Sequence, residues 1–188
     1  RTWAPLTTDQ LALARRHGLM VLQGIWVDQK VNYSSPAFQS VLLQSIRREV
    51  ERAKGQDAIL AFLVGNELSP EHVYATGTQQ TESLLHAAAS AVKEIDPSRL
   101  VSYANWPQLA WLDHAMWDLI GFNVYPYYPA SVAHSFGFRG YVEYLKRQMA
   151  PNRPLVVTEV GLSVSPKPGR MPGLGGLTPA QQAQQLLA

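Results

Sequence analysis

The sequence contains no cysteine, which excludes disulfides and thiolate chemistry but leaves the compartment open, since exported proteins also lack them. Charge is scarce as well. Charged residues make up 16% of the chain and leave a formal net charge of +2. That balance gives no basis for binding nucleic acid or an anionic membrane surface. No apolar run approaches the ~20 residues that a membrane helix needs. The histidines, at 17, 72, 86, 114 and 134, lack a metal-ligand spacing such as His-x-x-x-His, so neither a metal nor a cofactor is expected. A Gly-x-Gly-x-x-Gly turn between a first strand and helix is also missing, and with it the signature of a doubly wound dinucleotide fold. Gly173, Gly175 and Gly176 do lie close together, but in a proline-rich stretch well past a strand, which reads as a loop. The chain begins at Arg1 without methionine and ends at Ala188 inside a helical pattern. It is expected to be one domain over 1–188, cut at both ends from something longer, and its localisation stays undetermined.

What is present suits one domain with a sizeable core: 188 residues, 46% of them apolar. The stretch Ala58–Pro70, AILAFLVGNELSP, is a continuous hydrophobic run that stops at Gly65-Asn66-Glu67. Such a run suits a strand covered on both faces, as in a parallel α/β sheet. Similar runs are predicted as strands over Leu19–Val27, Leu100–Tyr103, Leu119–Val124 and Pro154–Thr158. Between them lie helical patterns. Thr7 and Gln10 form a capping box for a helix ending near His17-Gly18. Ser35-Pro36 starts a helix through Lys54, and further helices are predicted over 79–95 and Tyr141–Met149, with a short one between Trp111 and Trp117. Thr178-Pro179-Ala180-Gln181 opens a last one.

Strand and helix alternate through five strands with no two-residue hairpin signal, the βαβ pattern of a parallel sheet. Polar and aromatic groups follow strand after strand. This favours a (β/α)8 TIM barrel, which collects its site from several strand ends, over an open doubly wound sheet. Five strands cannot close that barrel, so it is partial, with Arg1-Thr2-Trp3 a candidate stub of the preceding strand.

Two of the strand ends carry glutamates. Glu67 follows Ala58–Val64, and Glu159, in LVVTEVG, follows Leu155–Thr158. Two complete strand units separate them, which on a barrel sets both side chains around one mouth. A carboxyl pair suits glycoside hydrolysis, one group donating a proton and the other serving as nucleophile or base. A separation of about 5–5.5 Å implies retention through a covalent intermediate, and a wider one inversion. Aromatic faces near the strand ends, Trp26, Trp106, Tyr127 and Tyr128, are suited to stacking on sugar rings, while Asp28, Asn105 and Asn123 can bond hydroxyls. Trp111 and Trp117 are expected in the core.

GNE after one apolar strand, FNVYPYY at the end of a later one and PLVVTEVG after the next resemble the retaining β-glycosidases of glycoside hydrolase clan A. The resemblance covers Arg1 to Glu159 in order and spacing. The tail FNVYPYY and the segment PLVVTEVG are similar both to the β-galactosidase/β-glucuronidase family and to the β-1,3-glucanase-like family. It implies a (β/α)8 barrel in which the five strands are the third to the seventh. It implies further that Glu67 is the acid/base, Glu159 the nucleophile, and Asn66 a partner of the sugar 2-hydroxyl. Tyr125 would bond the nucleophile, and Arg1 would be the arginine at the end of the second strand. The implied partner is an oligo- or polysaccharide with a β-linked glucoside, galactoside or glucan, cleaved by double displacement. Transglycosylation at the same site and a non-catalytic carbohydrate-binding barrel are the alternatives.

Overall fold

Capping chemistry sets the helix starts in the computed structural model, which describes residues 1–125, 132–149, 151–162, 164–165 and 177–187. In α1 (Thr8–Arg16) the Thr7 hydroxyl accepts from Gln10 N at 3.3 Å, and the Gln10 side chain accepts from Thr7 N at 2.9 Å. Leu11 and Ala14 are buried from this helix, whereas His17 at its end is exposed. Ser35 caps α2 (Pro36–Arg52), which buries Leu42, Ile46 and Val50. A short α3 (Pro70–Thr76), not foreseen in the sequence, precedes α4 (Thr78–Ile95). α5 (Val132–Gln148) starts well before the expected Tyr141, and α6 (Pro179–Leu187) has the Thr178–Gln181 cap.

The strands are β1 (Val21–Ile25), β2 (Ile59–Asn66), β3 (Leu100–Asn105), β4 (Ile120–Val124) and β5 (Leu155–Val160). All pair in parallel and lie side by side in chain order. This order separates the two architectures, because a doubly wound sheet reverses its strand order at a switch point and a barrel does not. The sheet is therefore a partial (β/α)8 TIM barrel. Helices α2 and α4 pack against each other on its outer face, with α4 lying on β2 and β3. β4 is buried throughout, and β2 is buried except at Leu60.

Three differences from expectation have local causes. β1 starts at Val21, where the ladder to β2 begins at Ile59, so Leu19 and Met20 stay exposed. A single 3₁₀ turn over Pro107–Leu109 is followed by turns instead of the helix expected between Trp111 and Trp117. Trp117 is buried as expected, but Trp111 lies at the surface against Tyr74, with ring centroids 6.0 Å apart.

Arg1-Thr2-Trp3 occupies the free edge of β1, where a preceding barrel strand belongs. Thr2 N donates to Leu22 O at 3.0 Å, and Gly24 N donates to the Thr2 hydroxyl at 3.2 Å. A Cβ on Gly24 would stand 2.4 Å from Thr2 O, so only glycine lets the two backbones approach.

Candidate active site

The carboxyl ends of β2, β4 and β5 and the segment beside β1 bring one polar cluster together. Glu67 leaves β2 with φ +44°, a left-handed conformation rare outside glycine. Two bonds hold it there. Glu67 N donates to Ala104 O at 2.9 Å, and Leu68 N donates to the buried Tyr103 hydroxyl at 2.8 Å. The Tyr103 phenol is pushed far above its ordinary range, chiefly by burial, and stays neutral. Gln29 Nε2 adds a 2.8 Å bond to Asn66 O, so the Asn-Glu pair is fixed from the segment after β1 and from β3.

Asn123 sits fully buried on β4. Its Nδ2 donates to Glu67 Oε1 at 2.9 Å and to Asn66 Oδ1 at 3.0 Å, while its Oδ1 accepts from the Thr158 hydroxyl at 2.6 Å. Every polar atom of that amide is engaged by protein. Asn123 therefore holds the Asn66-Glu67 pair in place, which differs from the direct hydroxyl contact expected of it. Asn66 Oδ1 also accepts from the Arg1 guanidinium. Its Nδ2 has no protein partner among the described residues, and it is the donor that the resemblance directs at a sugar hydroxyl.

Glu159, partly exposed at the end of β5, receives three donors among the described residues. Arg1 Nη1 forms an ion pair with Oε1, Trp3 Nε1 donates to the same oxygen at 2.8 Å, and the Tyr125 hydroxyl donates to Oε2 at 2.6 Å. Tyr125 is seated by Gly161, where a Cβ would lie 2.5 Å from its ring. Burial first, and the nearby Glu67 charge second, hold the Tyr125 phenol above its ordinary range against the opposing pull of Arg1. It remains a neutral donor. Burial lowers the Arg1 guanidinium, with Glu67 and then Tyr125 opposing. A continuous path of bonds thus runs from Glu67 through Asn123, Asn66 and Arg1 to Glu159.

The other candidates divide. Asn105 is buried, with Nδ2 donating to Leu109 O at 2.9 Å and Oδ1 accepting from Trp106 N at 2.8 Å, so its amide shapes the turn after β3. Trp106 is half-buried and donates from Nε1 to Leu68 O at 3.2 Å, behind the Glu67 backbone. Trp26 is 48% exposed after β1. Tyr127, Tyr128 and the proline- and glycine-rich stretch 166–176 lie outside the described residues. Sequence reasoning missed Trp3, Thr158, Tyr103 and Gly161. Trp3 had one available signal, its place two residues after Arg1.

Among solved structures, the chain is similar to a β-glucuronidase from Bacteroides uniformis, at 16% identity and a TM-score of 0.76 over 99% of this chain and 23% of that one. A β-glucuronidase from Ruminococcus gnavus gives 17%, 0.77, 99% and 33% for the same four quantities. A family 2 β-galacturonidase from Eisenbergiella tayi gives 18%, 0.68, 94% and 31%. The chain thus spans a quarter to a third of the length of these proteins. Comparison with curated proteins gives no match. The model described as "Glycosyl hydrolases family 2, TIM barrel domain" matches residues 8–184. That match decides between the two families the motifs resemble: the chain belongs to glycosyl hydrolase family 2.

Proposed function

We propose that the protein carrying this chain is a retaining β-glycoside hydrolase of clan A type, with Glu159 as nucleophile and Glu67 as acid/base. The observation that carries this reading is the contrast between the two carboxyls. Glu159 is ion-paired and receives two further donors, an environment that favours the charged form a nucleophile needs. Glu67 receives the Asn123 amide on Oε1, which keeps that oxygen an acceptor and leaves Oε2 to carry the proton. Glu67 then protonates the leaving oxygen while Glu159 attacks the anomeric carbon. Next, Glu67 takes a proton from the incoming water, which cleaves the glycosyl ester. Asn66 Nδ2 donates to the 2-hydroxyl, a contact that strengthens as the sugar ring approaches an oxocarbenium ion.

The substrate is a β-linked glucoside, galactoside or glucan, recognised as an oligo- or polysaccharide through Arg1, Trp26, Asn66, Trp106 and Tyr125. Uronides join this list because the similar structures include two β-glucuronidases and a β-galacturonidase. Transfer to an acceptor sugar is the close variant, since the covalent intermediate is the same.

In the intact protein, Glu159→Gln should abolish turnover of activated aryl β-glycosides. Glu67→Ala should lower kcat by about 10²–10⁴ with poor leaving groups. With an activated aryl glycoside, where breakdown of the glycosyl-enzyme becomes limiting, azide should restore part of the lost turnover and release a β-glycosyl azide. Unchanged turnover in both variants overturns the reading, and an α-azide from Glu67→Ala overturns Glu67 as the acid/base of a retaining enzyme. Sugar affinity without hydrolysis by the unmutated protein would favour the binding-only alternative. A panel of aryl glucosides, galactosides and uronides then sorts the sugars.

A further inference from the structure

We infer that Trp3 is a positioning residue for the nucleophile, fixing through its indole N–H which oxygen of Glu159 attacks the sugar. The inference rests on the proposed hydrolase reading and adds a residue and an atom to it. An ionised carboxylate offers about four lone-pair positions, two on each oxygen. On Glu159, Oε1 accepts from both Arg1 and Trp3, so both of its positions are filled. Oε2 accepts from Tyr125 alone among the described residues, which leaves one lone pair for the anomeric carbon. Attack therefore comes from Oε2. The carboxylate cannot exchange its oxygens without breaking the Trp3 bond.

Trp3 is built for this place although its side chain lies largely at the surface. Thr2, its neighbour, is bonded to β1 through both its backbone N–H and its hydroxyl, and Gly24 supplies the clearance that lets this segment lie so close. The Arg1 guanidinium carbon stands 5.9 Å from the Trp3 ring centroid, within range of a cation–π contact. The ring face thus steadies the cation while the ring edge holds the anion. Among the described residues, the charged and titratable groups facing Glu159 are Arg1 beside β1, Tyr125 after β4 and Glu67 after β2, whose charge reaches both Arg1 and Tyr125.

The test compares Trp3→Phe, which keeps an aromatic face but has no N–H, with Trp3→His, which keeps a ring N–H. Both are made in the intact protein and assayed on an activated aryl β-glycoside. Trp3→Phe should lower kcat/KM by about tenfold or more, the effect of one hydrogen bond to a charged group. The acidic limb of its kcat/KM profile should move to higher pH, because the charged carboxylate has lost a donor. Trp3→His should recover part of both, and neither variant should change Tm, since the indole is 59% exposed. An unmoved acidic limb in Trp3→Phe, or equal losses in the two variants, overturns the inference. Turnover that survives Glu159→Gln overturns the hydrolase reading instead, whatever Trp3 does.

Discussion

The two edges of the sheet differ in what most of their polar side chains converge on. At the amino edge, charged groups bond the main chain. Asp118 Oδ2 accepts from Val101 N at 2.8 Å, Lys93 Nζ donates to Arg99 O at 2.8 Å, Arg99 donates to Ile59 O, and Arg153 donates to His114 O. Each satisfies a backbone group where a strand or its lead-in begins. At the carboxyl edge, side chains bond one another. Arg1, Trp3, Asn66, Asn123, Tyr125 and Thr158 form a network that ends on two carboxyls. The first edge makes ends of strands compatible with burial. The second holds functional groups in fixed relation, as barrel folds do on that face.

The contrast can be broken from either side. Asn123→Ala should have the largest effect: kcat/KM should fall by about 10²-fold as Glu67 loses its fixed orientation. Stability should drop as well, by roughly 1–3 kcal/mol, because the buried Thr158 hydroxyl loses its acceptor. Steady-state kinetics with denaturant melts would separate the two. Asp118→Ala should show the reverse pattern. It strands the Val101 N–H and frees Lys93, 2.7 Å away, at a cost of roughly 1–3 kcal/mol. Its kcat/KM, measured well below Tm, should stay at the unmutated value. A loss of catalysis matching the loss of stability would erase the distinction between the edges.

The smallest effect concerns pH. His114, at the amino edge, has Nε2 3.0 Å from Ala110 O and its ring against Phe122. Burial is the main cause that lowers its pKa below the ordinary 6.5, with Arg153 adding to it and the Ala110 bond and Asp113 opposing. The unfolded chain therefore takes up a proton near pH 6.5 that the folded chain still refuses. This contribution to stability is constant above that pH and is lost as pH falls below it. Asp96 and Asp113, held below the usual carboxylate range by bonds to Ser98 and the Ala115 backbone respectively, act in the same direction at lower pH. Tm should decline between about pH 6.5 and 5 in the unmutated protein and less in His114→Gln.

The strand ends could be read from the sequence because the signal there is local. A hydrophobic run ending in Asn66-Glu67 or Thr158-Glu159 needs no partner to be recognised. The capping boxes at Thr7 and Thr178 are local too, and both form. The bond of Trp3 to Glu159 could not be read from its place two residues after Arg1, because it spans 156 positions and depends on how closely Thr2 lies on β1. Asn105 and Asn123 follow the same rule of residue type and place, yet each was expected to face substrate. Only the inward turn of their amides, toward Leu109 O and toward Glu67, separates them from Asn66. Ser69-Pro70 carried the start signal for α3, but the helix is too short for apolar periodicity to announce it.

Glu67 also marks the place where selection for durability and selection for chemistry diverge. Its φ of +44° disfavours any side chain bearing a Cβ by about 1–2 kcal/mol, a strain glycine would not feel. Glu67→Gly relieves that strain but leaves one buried Asn123 N–H without its acceptor, so Tm should change little in sum while the carboxyl is lost. Stability alone therefore gives little reason for a glutamate at this position, which is the residue proposed as acid/base.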